Sequence, residues 1–366
     1  MKKNLFIKST LILILSGFLT KILGFIIKVI YTRIIGEYGI SLFTIATPTY
    51  SLLLTISTLA IPISISKLVS ENKGRSIRII TSAAFLILSI NFLLILLILL
   101  TRDFIAINLL KEPLASPILL AFALTLPFVS ISSVLKGYFA GKQNMVPHAT
   151  SNIIEQIIRL IIIITVLPIL MKKSVMHAVL GLILLTILSE ISSIIVFLFF
   201  LPKHINYKTK LLPSKKHTKD ILDISLPTVS SRIIGNIGYF LEPIILTNLL
   251  LFSGYTNSYI LREYGAYNAY SLALLTMPGF FIAAISTSLL PEISKFHGEK
   301  NNIMVKRRIH QALLFALIIG TFFSFIIFTF RDKLLFSLYN TTNGSNYIKI
   351  LAPFFVLFYL DLPFKL

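Results

Sequence analysis

Lys21-Ile22-Leu23-Gly24, set inside the first apolar segment, returns later in the chain as Arg232-Ile233-Ile234-Gly235. Two further echoes keep the same order: Tyr38-Gly39 with Tyr264-Gly265, and Ile56-Ser57-Thr58…Pro62 with Ile285-Ser286-Thr287…Pro291. Echoes in one order predict two related lobes, each with a cation inside an apolar helix. Two lobes around a polar centre is a transporter plan, and cations held in apolar helices point to an anionic cargo.

The surrounding sequence places these strings in a membrane. Of 366 residues, 56% are hydrophobic and only 13% charged. Runs such as 83–100, 153–170 and 313–330 are apolar all round, whereas a soluble core would alternate apolar and polar faces. A bilayer needs about 20 residues at a rise of about 1.5 Å. Ten spans follow, near 9–35, 40–66, 77–101, 114–140, 146–170, 174–201, 220–251, 265–290, 307–330 and 345–363. The start, Met1-Lys2-Lys3 and an apolar run, has the outline of a signal peptide. No small-residue cleavage site follows and Lys21 interrupts the run, so it is read as an uncleaved first span.

Lys and Arg total 34 against 14 Asp and Glu. Such an excess first suggests nucleic-acid binding, but its distribution excludes that reading. Basic residues crowd alternate loops: Lys2, Lys3 and Lys8, then Lys67, Lys73, Arg75 and Arg78, then Lys136 and Lys142. The pattern continues with Lys203 through Lys219 and with Lys295 through Arg308. The loops between are poorer, holding for example only Arg33 or Arg262. Alternation of this kind sets orientation and predicts a cytoplasmic N-terminus in a multi-pass membrane protein.

The main break is the basic, proline-bearing stretch 202–219, too short for a folded domain and read as a cytoplasmic linker. It divides a six-helix lobe (1–201) from a partial second lobe (220–366) with four spans. The chain reaches Lys365-Leu366 while still apolar, so the repeat predicts about two helices beyond it, that is, a C-terminally truncated second lobe. Pro48, Pro62, Pro127, Pro227, Pro243 and Pro278 fall inside spans and predict kinks. Gly17, Gly24, Gly235 and Gly238 predict close helix approach.

Lys21 lies near the middle of span 1, and Lys28 follows seven residues later on the same face. A Lys at mid-bilayer costs roughly 3 kcal/mol, so it should turn toward the bundle rather than lipid. Lys28 could instead snorkel to the interface. Arg232 is the repeat mate of Lys21. A guanidinium grips phosphate oxygens in pairs and an ammonium acts as a point charge, so these cations suit a phosphate or pyrophosphate. Glu155 and Arg159 stand at i, i+4 in span 5 and read as an intrahelical ion pair, or as a cation of the cluster tuned by its neighbour. Glu190 and Glu242 are the other carboxylates inside spans, suited to ion coupling or to charge balance.

Enzymatic motifs are missing. His148, His177, His204, His217, His297 and His310 show no HExxH or paired metal spacing. There is no GxSxG, P-loop or GxGxxG string and no cysteine, so thiolate metal sites and disulfides are excluded. No metal or cofactor is called for, and catalysis is the least favoured reading.

Four stretches carry a family resemblance: Gly17 through Phe25 continued by Arg33-Ile34-Ile35-Gly36; Ser151-Asn152-Ile153-Ile154-Glu155-Gln156-Ile157-Ile158-Arg159; Ser225-Leu226-Pro227…Ser231-Arg232-Ile233-Ile234-Gly235; and Ile285 through Ser294. Together they resemble the stage V sporulation protein B branch of the polysaccharide flippases, in the multidrug/oligosaccharidyl-lipid/polysaccharide exporter superfamily. The resemblance implies an all-α polytopic fold with two helical lobes around a central cavity. It also implies a lipid-linked cargo, undecaprenyl-pyrophosphate sugars including lipid II, and work alongside wall-synthesis proteins. First-helix cavity cations are functional residues in the lipid II branch. Lys21 and Lys28 match that helix, with Lys where that branch has Arg.

The favoured reading is therefore a flippase of lipid-linked sugars holding phosphates on Lys21, Lys28, Arg159 and Arg232. A cation-coupled multidrug antiporter on the same fold would need carboxylates in the first-lobe cavity, and span 1 has none. A non-transporting membrane scaffold would tolerate loss of every buried cation.

Overall fold

The computed structural model describes residues 2–71, 76–201 and 212–365. Of the basic residues above, Lys73, Arg75, Lys203, Lys208 and Lys210 lie outside that set, as do residues 202–211 of the expected linker. The side chains of Thr287, Pro291 and Glu292 are likewise not described. The described residues form helices and no strand.

The first lobe comprises α1 (Lys2–Thr58), α2 (Ile61–Glu71), α3 (Ser76–Phe104), α4 (Ala115–Gly141), α5 (Val146–Lys173) and α6 (Val175–Phe200). The second comprises α7 (Lys215–Phe252), α8 (Asn257–Gly265), α9 (Leu272–Thr276), α10 (Gly279–Gly298), α11 (Asn302–Tyr339), α12 (Ser345–Leu351) and α13 (Phe355–Asp361). π-turns at Ile105–Leu109 and Ala266–Ser271 extend α3 and join α8 to α9.

Among the described residues seven helices are long and apolar enough to cross a bilayer, and two more spans arise if each bent pair crosses once. The bent pairs are α8–α9 with α10, turning by 43°, and α12 with α13, turning by 65°. The first candidate runs 57 residues, Leu15–Glu71, more than twice what a bilayer accommodates. Gly36 divides it: with φ 74 and ψ 179 it takes a conformation open to glycine alone and kinks the chain into two arms. Counting the arms separately gives ten candidate spans among the described residues, the number expected from the sequence.

Prolines mark ends as well as bends. Pro48, Pro127, Pro227 and Pro243 sit inside helices as expected, and so does Pro168. Pro62 instead follows a break at Leu59 and Ala60, both at positive φ, and opens α2. Pro278 precedes α10 at the bend. Both fit the first helical turn, where the missing N–H costs nothing.

Close packing does not fall on the four glycines singled out by sequence. A Cβ at Gly17, Gly235 or Gly238 would meet nothing within 4 Å, and at Gly24 only Gln156 Oε1 at 4.0 Å. Tight approaches lie instead at other glycines, among them Gly137 and Gly141 of α4, where a Cβ would stand 2.8 Å from Pro62 Cα and 2.7 Å from the Ser66 carbonyl oxygen. The local pattern misled because small residues cluster for more than one reason, and these four border open space.

The lobes meet along α7 and at the end of the bundle that carries Gly36. Asn236 of α7 accepts from Ser51 Oγ at 2.7 Å and donates to Thr55 Oγ1 at 3.0 Å. At the Gly36 end, Gly265 packs so closely on Ser41 that a Cβ there would collide with it. The repeat mates Tyr38-Gly39 and Tyr264-Gly265 are each preceded by a glutamate, Glu37 and Glu263. Arg262 reaches both, at 3.8 Å and 3.7 Å. Asn343 donates to Glu37, Tyr347 to Glu263 at 2.8 Å, and Arg33 to the Leu338 carbonyl at 2.7 Å. In the loop beside this seam, burial raises the Glu112 carboxyl above its ordinary value, partly offset by hydrogen bonds from Leu114 and Asn257.

Candidate functional site

Five helical faces of the first lobe enclose a cavity of about 340 Å³. Each contributes residues three, four or seven apart, the spacing that puts side chains on one stripe: Gly24, Ile27, Lys28 and Tyr31 before the Gly36 turn, and Phe43, Thr47 and Tyr50 after it. The stripes Phe122, Thr125 and Val129 of α4, Gln156, Arg159 and Ile163 of α5, and Ile183, Thr186 and Glu190 of α6 complete the wall. Tyr50 stacks on Phe122 with ring centroids 4.4 Å apart. The lining is apolar and aromatic with a few polar groups aimed inward, the usual composition of a small-ligand site.

A charged network stands behind one wall. Arg159 Nη2 lies 2.9 Å from Glu155 Oε1 and 3.9 Å from Glu190 Oε1, and its Nε donates to Ser189 Oγ at 3.2 Å. Lys136 Nζ stands 3.7 Å from Glu155 Oε2. Glu155 and Glu190 are 6% and 7% exposed, so each buried carboxyl depends on the basic side chains that face it. The expected i, i+4 pair is present, and Arg159 also faces the cavity. Lys136, counted above among the loop cations, belongs inside α4 and to this network. Its spacing with Ser132, one turn earlier, was the signal that could have shown it facing inward.

Lys28 differs from Arg159. It lines the cavity yet forms no ion pair or hydrogen bond among the described residues. Three basic side chains, Lys136, Arg159 and Lys28, thus stand against two carboxyls, Glu155 and Glu190, and Lys28 is the one without an acidic partner among the described residues.

The other singled-out residues lie elsewhere. Lys21 continues the Gly24–Lys28 stripe but sits one turn beyond the cavity, exposed, with Nζ 5.9 Å from the Phe280 ring centroid of α10. Phe18 meets Phe281 edge-on beside it, at 5.5 Å. Arg232 is exposed on α7 with no ion pair among the described residues. Glu242 lies in the second lobe among Tyr239, Tyr264 and Tyr267. Sequence reasoning missed Tyr31, Tyr50, Thr125, Gln156 and Thr186, whose inward register becomes clear only when the five stripes face one another. Among the described residues no group of three His, Cys, Asp or Glu could hold a metal ion.

The candidate spans among the described residues, with a mainly apolar cavity inside the first lobe, define an all-α multi-pass membrane fold. The chain belongs to the polysaccharide biosynthesis protein family, whose model matches residues 6–297; a second model, MatE, matches residues 243–365. It is 34% identical over 377 residues to stage V sporulation protein B of Bacillus subtilis (strain 168), covering 100% of this chain and 73% of that protein. Lipid II flippase MurJ of the same organism is 27% identical over 188 residues, 45% of this chain and 33% of that protein. Among solved structures, the inward-facing conformation of a multidrug resistance MATE family transporter of the MOP superfamily superposes with a TM-score of 0.68 at 16% identity. That match covers 94% of this chain and 79% of the other.

Proposed function

We propose that the chain is a flippase that moves an undecaprenyl-pyrophosphate-linked sugar, a lipid II-like peptidoglycan precursor or a polysaccharide unit, across the bacterial cytoplasmic membrane. The observation that carries this reading is Lys28, which has no acidic partner among the described residues and lines a 340 Å³ cavity that Arg159 also lines. Similarity to a lipid II flippase supports the cargo class. Lys28 supplies a point charge to a phosphate. Arg159, held in place by Glu155 and Ser189, offers guanidinium N–H groups to its oxygens. Glu155 and Glu190 balance the charge while the cavity is empty. Lys21 and Arg232, exposed on α1 and α7, guide the headgroup between the lobes, and Glu242 is the second-lobe carboxylate available for ion coupling.

The lobes span 1–201 and 220–366, joined by the basic segment 202–219. With basic loops facing the cytoplasm, the N-terminus and this linker lie inside. The headgroup enters from the cytoplasmic leaflet, the lobes rock, and the lipid tail stays in the bilayer throughout. The chain acts as a carrier and not an enzyme, with no cofactor and no nucleic-acid partner; wall-synthesis proteins are its expected neighbours.

The test is reconstitution into vesicles with a polyprenyl-pyrophosphate sugar whose headgroup is scored for outward exposure. Wild-type protein should expose it, and Lys28→Ala should slow exposure about ten- to a hundredfold, the weight of one charge-assisted contact. No movement of the labelled lipid by wild-type protein would overturn the reading.

A further inference from the structure

A second cavity, about 760 Å³, lies away from the polar site, between α3 and the beginning of α7. One end of it is basic. Lys215 and Lys219 stand one turn apart on α7, both exposed, and neither forms an ion pair among the described residues. The helix itself adds to this end. Ser214, at the N-cap, makes no side-chain cap bond among the described residues, and the positive end of the helix dipole lies at this end of the cavity. The backbone N–H of Ser214 donates to Ser82 Oγ at 2.9 Å, which fixes the start of α7 against α3.

The other end is apolar. Leu222 and Leu226 continue the wall about 10–16 Å further along the helix axis, and Phe85 of α3, 61% exposed, faces the same volume. Asp223 is the one acid in the lining, a turn past Lys219 on the apolar side. The cavity is thus graded along its length, from two lysines at the helix start to a mainly apolar wall that holds the single carboxylate Asp223.

We propose that this cavity binds an anionic glycerophospholipid of the surrounding leaflet, its phosphate on Lys215 and Lys219 and an acyl chain against Phe85, Leu222 and Leu226. Free phosphate would leave the apolar wall uncovered. A zwitterionic lipid would bring its own cation to the basic end and forfeit the attraction that paired lysines give an anionic headgroup. Because α3 belongs to the first lobe and α7 to the second, the lipid bridges them. This site is independent of the cargo site and of the flippase reading.

The experiment is native mass spectrometry of the full chain released from mixed phosphatidylglycerol and phosphatidylcholine bilayers, with thermal unfolding as the control for folding. Wild-type protein should retain phosphatidylglycerol selectively. Lys215→Gln with Lys219→Gln should cut that retention about tenfold or more. Leu226→Trp, which fills the apolar end and leaves both lysines, should cut it as well. Equal retention of the two lipids, or undiminished phosphatidylglycerol in the lysine double variant, would overturn the proposal. So would displacement of phosphatidylglycerol by equimolar undecaprenyl phosphate, which would reassign the groove to cargo.

Discussion

Two charged clusters organise the molecule, and they differ in what surrounds them. Around Arg159, two glutamates less than a tenth exposed meet their cations within one lobe. Around Arg262, whose side chain is 56% exposed, two repeat-mate glutamates share a cation between the lobes. Burial sets the weight of each. A buried carboxylate that loses its partner keeps its desolvation cost, whereas water screens an exposed pair and takes over its role. The first cluster is therefore a fixed part of the lobe. The second is a weak clasp, and the Gly36-end seam owes its strength to packing such as Gly265 on Ser41.

The sharpest way to break this contrast is Arg159→Met, which leaves Glu155 with Lys136 alone and Glu190 with no cation within ion-pair distance. Thermal unfolding in detergent should show a loss of about 3–5 kcal/mol; a loss below about 1 kcal/mol would mean water reaches the cluster. Next is Gly265→Val, which forces side chain into Ser41 and its backbone. About 1–3 kcal/mol should be lost, and spin labels across the Gly36 end should report a wider separation. Lys28→Gln is smaller and of opposite sign: removing a lysine that has no acidic partner among the described residues should leave stability equal or slightly higher while transport falls. Arg262→Ala should cost the least, about 1 kcal/mol or below, and the difference from wild type should shrink as salt is raised.

Much of this was legible in the chain. Span number followed from apolar run length, and the Glu155–Arg159 pair from its i, i+4 spacing. Lys28, singled out by its position on the first helix, lines the cavity. What escaped has a common cause: one-dimensional spacing reports which residues share a helix face, and says nothing of what that face meets. Lys21 and Lys28 share a stripe, yet the cavity ends at Gly24 and Lys21 continues over Phe280. Gly24 and Gly235 echo each other in sequence and both border open space, while close contacts sit at other glycines such as Gly137, Gly141 and Gly265. Lys136 read as a loop cation because a basic residue near the end of a span is usually one. Only its juxtaposition with Glu155 places it inside.

The central claim is that Lys28 of the first-lobe cavity receives the cargo phosphate. The most direct measurement is binding of an undecaprenyl-pyrophosphate sugar to purified wild-type protein, Lys28→Gln and Lys28→Arg in one detergent, read by native mass spectrometry. Binding should fall about tenfold or more in Lys28→Gln and largely return in Lys28→Arg, which restores the charge. Equal binding by all three proteins would contradict the account and move the phosphate site out of this cavity.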